Sequence, residues 1–112
     1  MKGDLKRAWV KALRGRGYRQ TRKVLNRKGN RKAGKRSTYC CLGVLCRVAG
    51  AQFDITGRAV FPSGNITNVC TLSIPVLDEL GLSHVVADKL MGMNDNYGNS
   101  FKEIADWVEK NL

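Results

Sequence analysis

The sequence predicts a small, mostly helical α+β domain spanning residues 1–112, and three stretches carry that expectation. Residues 39–49 are apolar nearly all round, which fits a buried central helix rich in cysteine. Residues 100–112 combine a capping signature with one apolar stripe, the pattern of a docked terminal helix. Residues 52–61 alternate loosely around Thr56-Gly57, which reads as a short hairpin. At 112 residues, 43% of them hydrophobic, the chain suits one domain whose core forms without staples.

Taken in order, residues 4–14 predict a helix with Leu5, Trp9, Ala12 and Leu13 on one face and Lys6, Arg7, Lys11 and Arg14 around the other. Asp4 favours its positive start, and Gly15 and Gly17 end it. From Tyr18 to Ser37 the apolar pattern thins to Tyr18, Val24 and Leu25, predicting one short strand over 18–25. A basic, mobile segment at 26–37 is expected to follow. Ser37 and Thr38 are cap candidates for the central helix, and Gly50 is its stop. Gly43 inside that helix costs roughly 1 kcal/mol relative to Ala, so a second backbone should pack closely against it.

Beyond the hairpin, Pro62-Ser63-Gly64-Asn65 is a turn. Ser73 with Pro75 opens a short helix that Gly81 closes, and Ser83 caps another over 84–91. Asn94 to Ser100 reads as an Asx-rich turn, and Ser100 with Glu103 forms the capping box. Phe101, Ile104, Ala105, Val108 and Leu112 make the stripe behind it.

Charge is the strongest functional signal. Residues 1–37 hold 15 of the 20 Lys and Arg against the single acid Asp4, for a net +14, while residues 38–112 carry −3. Such asymmetry points to a polyanionic partner. Arg14, Arg16, Arg19, Arg22, Lys23, Arg27 and Lys28, interleaved with Tyr18 and amides, have the make-up that backbone phosphates need, and Arg31, Lys32, Lys35 and Arg36 extend it. No zinc finger, basic zipper or RNA-recognition signature occurs, so DNA or RNA would be bound with low sequence specificity.

Other chemistries are poorly supported. Cys40, Cys41, Cys46, Cys70 and His84 lack the paired spacing of a zinc site, and the thiols read as reduced core residues, which suits a cytosolic compartment. A Cys–His nucleophile would need His84 to leave an unrelated element. Asp78 with Glu79, and Asp106 with Glu109, look like ordinary surface acids. Neither a phosphate-binding glycine loop nor a calcium loop fits, so no cofactor and no metal are expected. Asn94, Asp95 and Tyr97 offer a polar loop that a small anionic ligand such as a nucleotide, or a protein partner, would be able to use. No apolar run of 18 residues exists and the N-terminus lacks the apolar stretch of a secretory signal, so neither a membrane partner nor export is expected.

Tyr39-Cys-Cys-Leu-Gly-Val-Leu-Cys46 and Met93-Asn-Asp-Asn-Tyr-Gly-Asn-Ser-Phe-Lys-Glu-Ile-Ala-Asp-Trp-Val108, with Trp9, Leu13 and Tyr18-Arg-Gln20, resemble a group of small uncharacterised proteins of tailed bacteriophages. More remotely, the Cys-Leu-Gly helix followed by an Asn-Asp loop is similar to a bacterial family of unknown function. The chain departs from the phage group in its basic stretch around 27–36. The resemblance implies an accessory protein of the host cytoplasm and carries no activity with it. The expectations are therefore a non-enzymatic binder of nucleic acid or, as the alternative, an effector that inhibits a host or defence protein, with an acidic protein as its partner.

Overall fold

A computed structural model describes residues 1–112, leaving aside the side chain of Arg31. Across the described residues the element order is α1 (Gly3–Arg14), β1 (Arg19–Gln20), β2 (Asn26–Arg27), a 3-10 turn (Arg31–Ala33), β3 (Thr38–Tyr39), α2 (Cys41–Val48), β4 (Gln52–Phe53), β5 (Ala59–Val60), α3 (Ile74–Leu80), α4 (His84–Asp95) and α5 (Phe101–Asn111). The result is the expected mostly helical α+β architecture, with α2 at its centre.

The central helix owes its place to its sequence. Cys41, Leu42, Val44, Leu45 and Cys46 are all fully buried, so the helix meets water only in its last turn, at Arg47 and in part at Val48. Gly43 allows this, because a Cβ there would lie 2.0 Å from the carbonyl oxygen of Leu25. The close backbone approach expected at Gly43 therefore exists, and its neighbour is the segment just before β2. The helix is shorter than the sequence predicts: Thr38 and Tyr39 are drawn into a strand, and Cys40 replaces Ser37 or Thr38 as the cap. Its sulfur accepts from the Gly43 N–H at 3.3 Å. Trp9 of α1, itself fully buried, donates its indole N–H to the Cys41 carbonyl at 2.9 Å and so fastens α1 to α2.

Of the single strand expected over 18–25 only Arg19–Gln20 pairs as a strand (β1); the next strand, β2, begins just beyond that range at Asn26, and the basic segment over 26–37 is the body of a hairpin. β2 runs antiparallel to β3 (Asn26 opposite Tyr39, Arg27 opposite Thr38), and β1 pairs parallel to β3 on the other side. Strands of two residues are too short to display a periodic pattern, so only the long-range pairing reveals them. The β4–β5 hairpin forms as expected, its turn held by the Asp54 carboxylate, which accepts from Thr56 N, Thr56 Oγ1 and Arg58 N. Those bonds, that of the Thr56 hydroxyl above all, hold the Asp54 carboxyl below its ordinary value.

At the C-terminal end the capping box is present in full: Ser100 Oγ accepts from Glu103 N, and a Glu103 carboxylate oxygen accepts from Ser100 N at 2.9 Å. α4 runs four residues longer than the sequence predicts, to Asp95, and this extension carries Asn94 into the interior. The buried Asn94 amide uses all of its hydrogen-bonding capacity. Its oxygen accepts from Gln20 Nε2 (2.9 Å) and Cys41 N (3.2 Å), and its nitrogen donates to the Thr21 carbonyl and to Asp95 Oδ1 (2.8 Å each).

Two substitutions test this framework by chemical denaturation. Gly43→Ala should destabilise by roughly 1–3 kcal/mol despite the better helix propensity of Ala, because the Leu25 backbone must move. Asn94→Ala should cost about 2–4 kcal/mol by leaving the Cys41 N–H and the Thr21 carbonyl unpaired inside. Variants as stable as wild type would mean that α2 is not held as described.

The thiols give a second test. Burial pushes Cys40 up to about 12 and Cys41 and Cys46 well above their ordinary value near 9, whereas Cys70 is exposed. A thiol reagent should therefore label Cys70 alone in the native protein and all four cysteines in denaturant. An unfolded chain loses its thiol protons near pH 9 while the folded one keeps them, so these groups favour folding fully below pH 9. Stability should fall between about pH 9 and 12, by up to ~1.4 kcal/mol per pH unit for each buried thiol. Stability that stays level across that window, or rapid labelling of Cys40, would contradict the burial.

Candidate nucleic-acid interface

The register of the three-stranded sheet sorts the residues of the basic region. Arg19, Thr38 and Arg27 are mutual partners across β1, β3 and β2, so their side chains leave the same face. With neighbouring strands about 5 Å apart, the backbones of Arg19 and Arg27 stand about 10 Å apart, with Thr38 between them. Gln20, Tyr39 and Asn26 occupy the opposite face, where Asn26 is buried and Gln20 reaches Asn94. Arg19 and Arg27 are both exposed.

The hairpin carries most of the remaining cations. Its two sides meet very closely at Gly29, where a Cβ would fall 2.3 Å from the Lys35 carbonyl oxygen, and Gly29 N donates to Ser37 Oγ. Asn30 shapes the tip: its backbone oxygen accepts from Lys35 N and its side-chain oxygen from Lys32 N. Arg27, Lys28, Lys32, Lys35 and Arg36 are exposed along this arm. The Arg31 side chain lies outside the described residues. Before the hairpin, Arg16, Arg22 and Lys23 are exposed as well. Lys23 adopts a left-handed backbone (φ 71°), held by its N–H donating to Asp95 Oδ1 at 2.9 Å. Among the described residues none of these cations forms an ion pair.

Arg14 differs from the rest. Its guanidinium grips Asp106 (2.7 Å) and Glu109 (2.9 Å) of α5, acids that the sequence presented as ordinary surface residues. Hydrogen bonding to Glu109 and then Asp106 raises the guanidinium further, and the same bond from Arg14 lowers the Glu109 carboxyl. The three groups are exposed, so the pair stabilises little in water. Its consequence is positional: Arg14 is turned towards α5 and is less available to an external anion.

One basic residue that the sequence reading passed over joins the region. An open groove of about 720 Å³ lies between the hairpin, the α1–β1 link and α2, lined by Tyr18, Lys35, Arg36, Ser37, Tyr39 and Arg47, with glycine backbone between them. Arg47 is exposed and braced by a bond from its guanidinium to the Ala51 carbonyl at 3.2 Å. A lone charge in an otherwise apolar helix was the available signal, because such a helix has only one place where it reaches solvent. The Tyr18 and Tyr39 rings meet edge-on with centroids 5.2 Å apart, and Tyr39 leans on Phe53 at 5.8 Å.

The polar loop is not brought together as a pocket. Asn94 is buried and its amide is wholly engaged within the protein, Asp95 accepts from Lys23 N and from Asn94, and Tyr97 is 77% exposed. Cys40, Cys41 and Cys46 are buried near α2, Cys70 is exposed elsewhere, and His84 faces Asp88 on α4. Among the described residues no three metal-ligating side chains converge, and no helix is long and apolar enough to cross a membrane.

No curated protein and no solved structure matches the chain. A family model matches residues 1–61, just over half of the chain. That span takes in α1, the three-stranded sheet, α2 and the β4–β5 hairpin, and so every basic residue of the interface and the groove. The chain thus belongs to the family described as a domain of unknown function, DUF8296.

Proposed function

We propose that this protein is a non-enzymatic, phage-type accessory protein that binds nucleic acid through its basic N-terminal face. One observation carries the reading: Arg16, Arg19, Arg22, Lys23, Arg27, Lys28, Lys32, Lys35 and Arg36 are all exposed, and none is neutralised by an ion pair among the described residues. Crowded like charges repel, so such a cluster is best explained by a partner that supplies anions. Phosphate backbones do so at any sequence, and the release of their counterions drives binding. The likeness of the 39–46 and 93–108 motifs to small tailed-phage proteins supports an accessory role in the host cytoplasm.

The test is a salt titration. Replacing Arg19, Arg22, Arg27, Lys28 and Lys32 with Ser should leave the melting temperature nearly unchanged, since these side chains are exposed. Affinity for nucleic acid should fall, and the slope of log affinity against log salt should flatten by about 0.7–0.9 for each phosphate contact removed. Unrelated sequences should bind alike. Wild type that shows no binding at roughly 50 mM salt would refute the reading. An acidic host protein would then be the partner to seek.

A further inference from the structure

We infer that the groove between the hairpin and α2 is a seat for single-stranded nucleic acid, with a base stacked on Tyr18 and the flanking phosphates held by Lys35, Arg36 and Arg47. The inference rests on the nucleic-acid reading above and specifies which form of nucleic acid the site takes.

Four properties of the groove point to this ligand. Its volume, about 720 Å³, lies in the range of sites for nucleotide-sized ligands, and it is open to solvent rather than enclosed, so a bound base need not be a free nucleotide. Its charged lining is entirely basic, and the cations come from two separate elements, Lys35 and Arg36 from the hairpin and Arg47 from α2. Ser37 Oγ accepts from Gly29 N, which leaves its own O–H free to donate to a phosphate oxygen. Finally, the aromatic pair sits beside the cations. Tyr39 makes aromatic contacts with Tyr18 and Phe53, whereas Tyr18 has one aromatic contact, packs partly against the core and remains half-buried in the groove lining, so part of its ring is open to a base.

These properties together discriminate between strand and duplex. Bases in a duplex are already stacked on their neighbours and hidden behind the backbone, so a ring at the floor of a groove reaches none of them without unpairing. In a single strand each base presents a π-face, and stacking on an aromatic side chain beside a cationic track is the general mode of sequence-tolerant binding. The outer row of Arg19 and Arg27 lies on the opposite face of the sheet and meets either form by charge alone.

The experiment uses fluorescent oligothymidine of about ten nucleotides, within the span one small domain covers, and a duplex of equal length. The proteins are wild type, Arg47→Gln, Tyr18→Leu and Tyr18→Phe, each checked by circular dichroism for an unchanged melt. Arg47 is exposed, so its variant tests the groove even if a Tyr18 variant fails to fold. Wild type should bind the strand more tightly than the duplex. Arg47→Gln and Tyr18→Leu should each weaken strand binding roughly fivefold or more, the low end of one base–aromatic stack, with duplex binding changed by less than about twofold. Tyr18→Phe, which keeps the ring, should behave as wild type. A wild type that prefers duplex, or an Arg47→Gln variant that loses strand and duplex equally or loses neither, overturns the seat and leaves general nucleic-acid binding standing. A wild type that binds neither probe removes both.

Discussion

The arrangement of this protein depends on one buried amide. Asn94 sits near the end of α4, yet its four hydrogen bonds reach β1 through Gln20, the following turn through Thr21, the first turn of α2 through Cys41, and its own neighbour Asp95. A polar group without water is costly unless every donor and acceptor is matched, and here every one is. Because the partners belong to separate chain segments, the match exists only when α2, α4 and β1 are correctly placed together. The amide therefore acts as a register pin. Gln20 extends it by donating also to the Asn99 carbonyl, which ties the loop before α5 into the same set.

From that pin the position of the basic region follows. β1, held by Gln20, pairs with β3, and β3 carries β2 and with it the whole hairpin. The Leu25 backbone, bonded to Val69 on one side and Cys40 on the other, presses on α2 where Gly43 gives it room. α2 is thereby enclosed by α1 through Trp9, by the sheet through Leu25, and by α4 through Asn94. Its one exposed polar side chain, Arg47, emerges beside the hairpin, and the groove is the space between them.

How much of this was legible depends on the range of the interactions. The capping box, the Ser73–Pro75 helix start and the Thr56-Gly57 turn are written within a few residues, and each was readable; the close approach at Gly43 was readable because a glycine inside a helix is a local anomaly, although its partner, Leu25, was not. The three-stranded sheet was not, because no strand of two residues carries a pattern and the pairing joins residues up to 19 apart (Arg19 with Thr38). Asn94 read as part of a turn because Asx-rich sequence favours turns, and tertiary matching of its amide overrode that preference. Arg14 looked like its basic neighbours, since the acids that engage it lie 92 and 95 residues away. Arg47 escaped as a binding residue because only the fold brings α2 against the hairpin. Residues whose role is local were found, and those that depend on assembly were not.

The chemistry of the fasteners explains how so basic a region holds its shape without neutralising itself. A folded cluster of cations could be secured by carboxylates, but each ion pair would withdraw a charge from the surface, as Arg14 shows at α5. Elsewhere the bracing groups are neutral: Gln20 and Asn94 at the base, Asn26 donating to the Thr38 carbonyl, Asn30 at the tip, and Ser37 accepting from Gly29. The one acid that enters the region, Asp95, accepts from the backbone N–H of Lys23, so the Lys23 side chain remains exposed. Neutral amides, hydroxyls and carbonyls thus supply the geometry, while among the described residues the cations keep their charge free of ion pairs. On the nucleic-acid reading proposed above, a bound polyanion would relieve the mutual repulsion of those cations, so the surface would be more favourable occupied than bare.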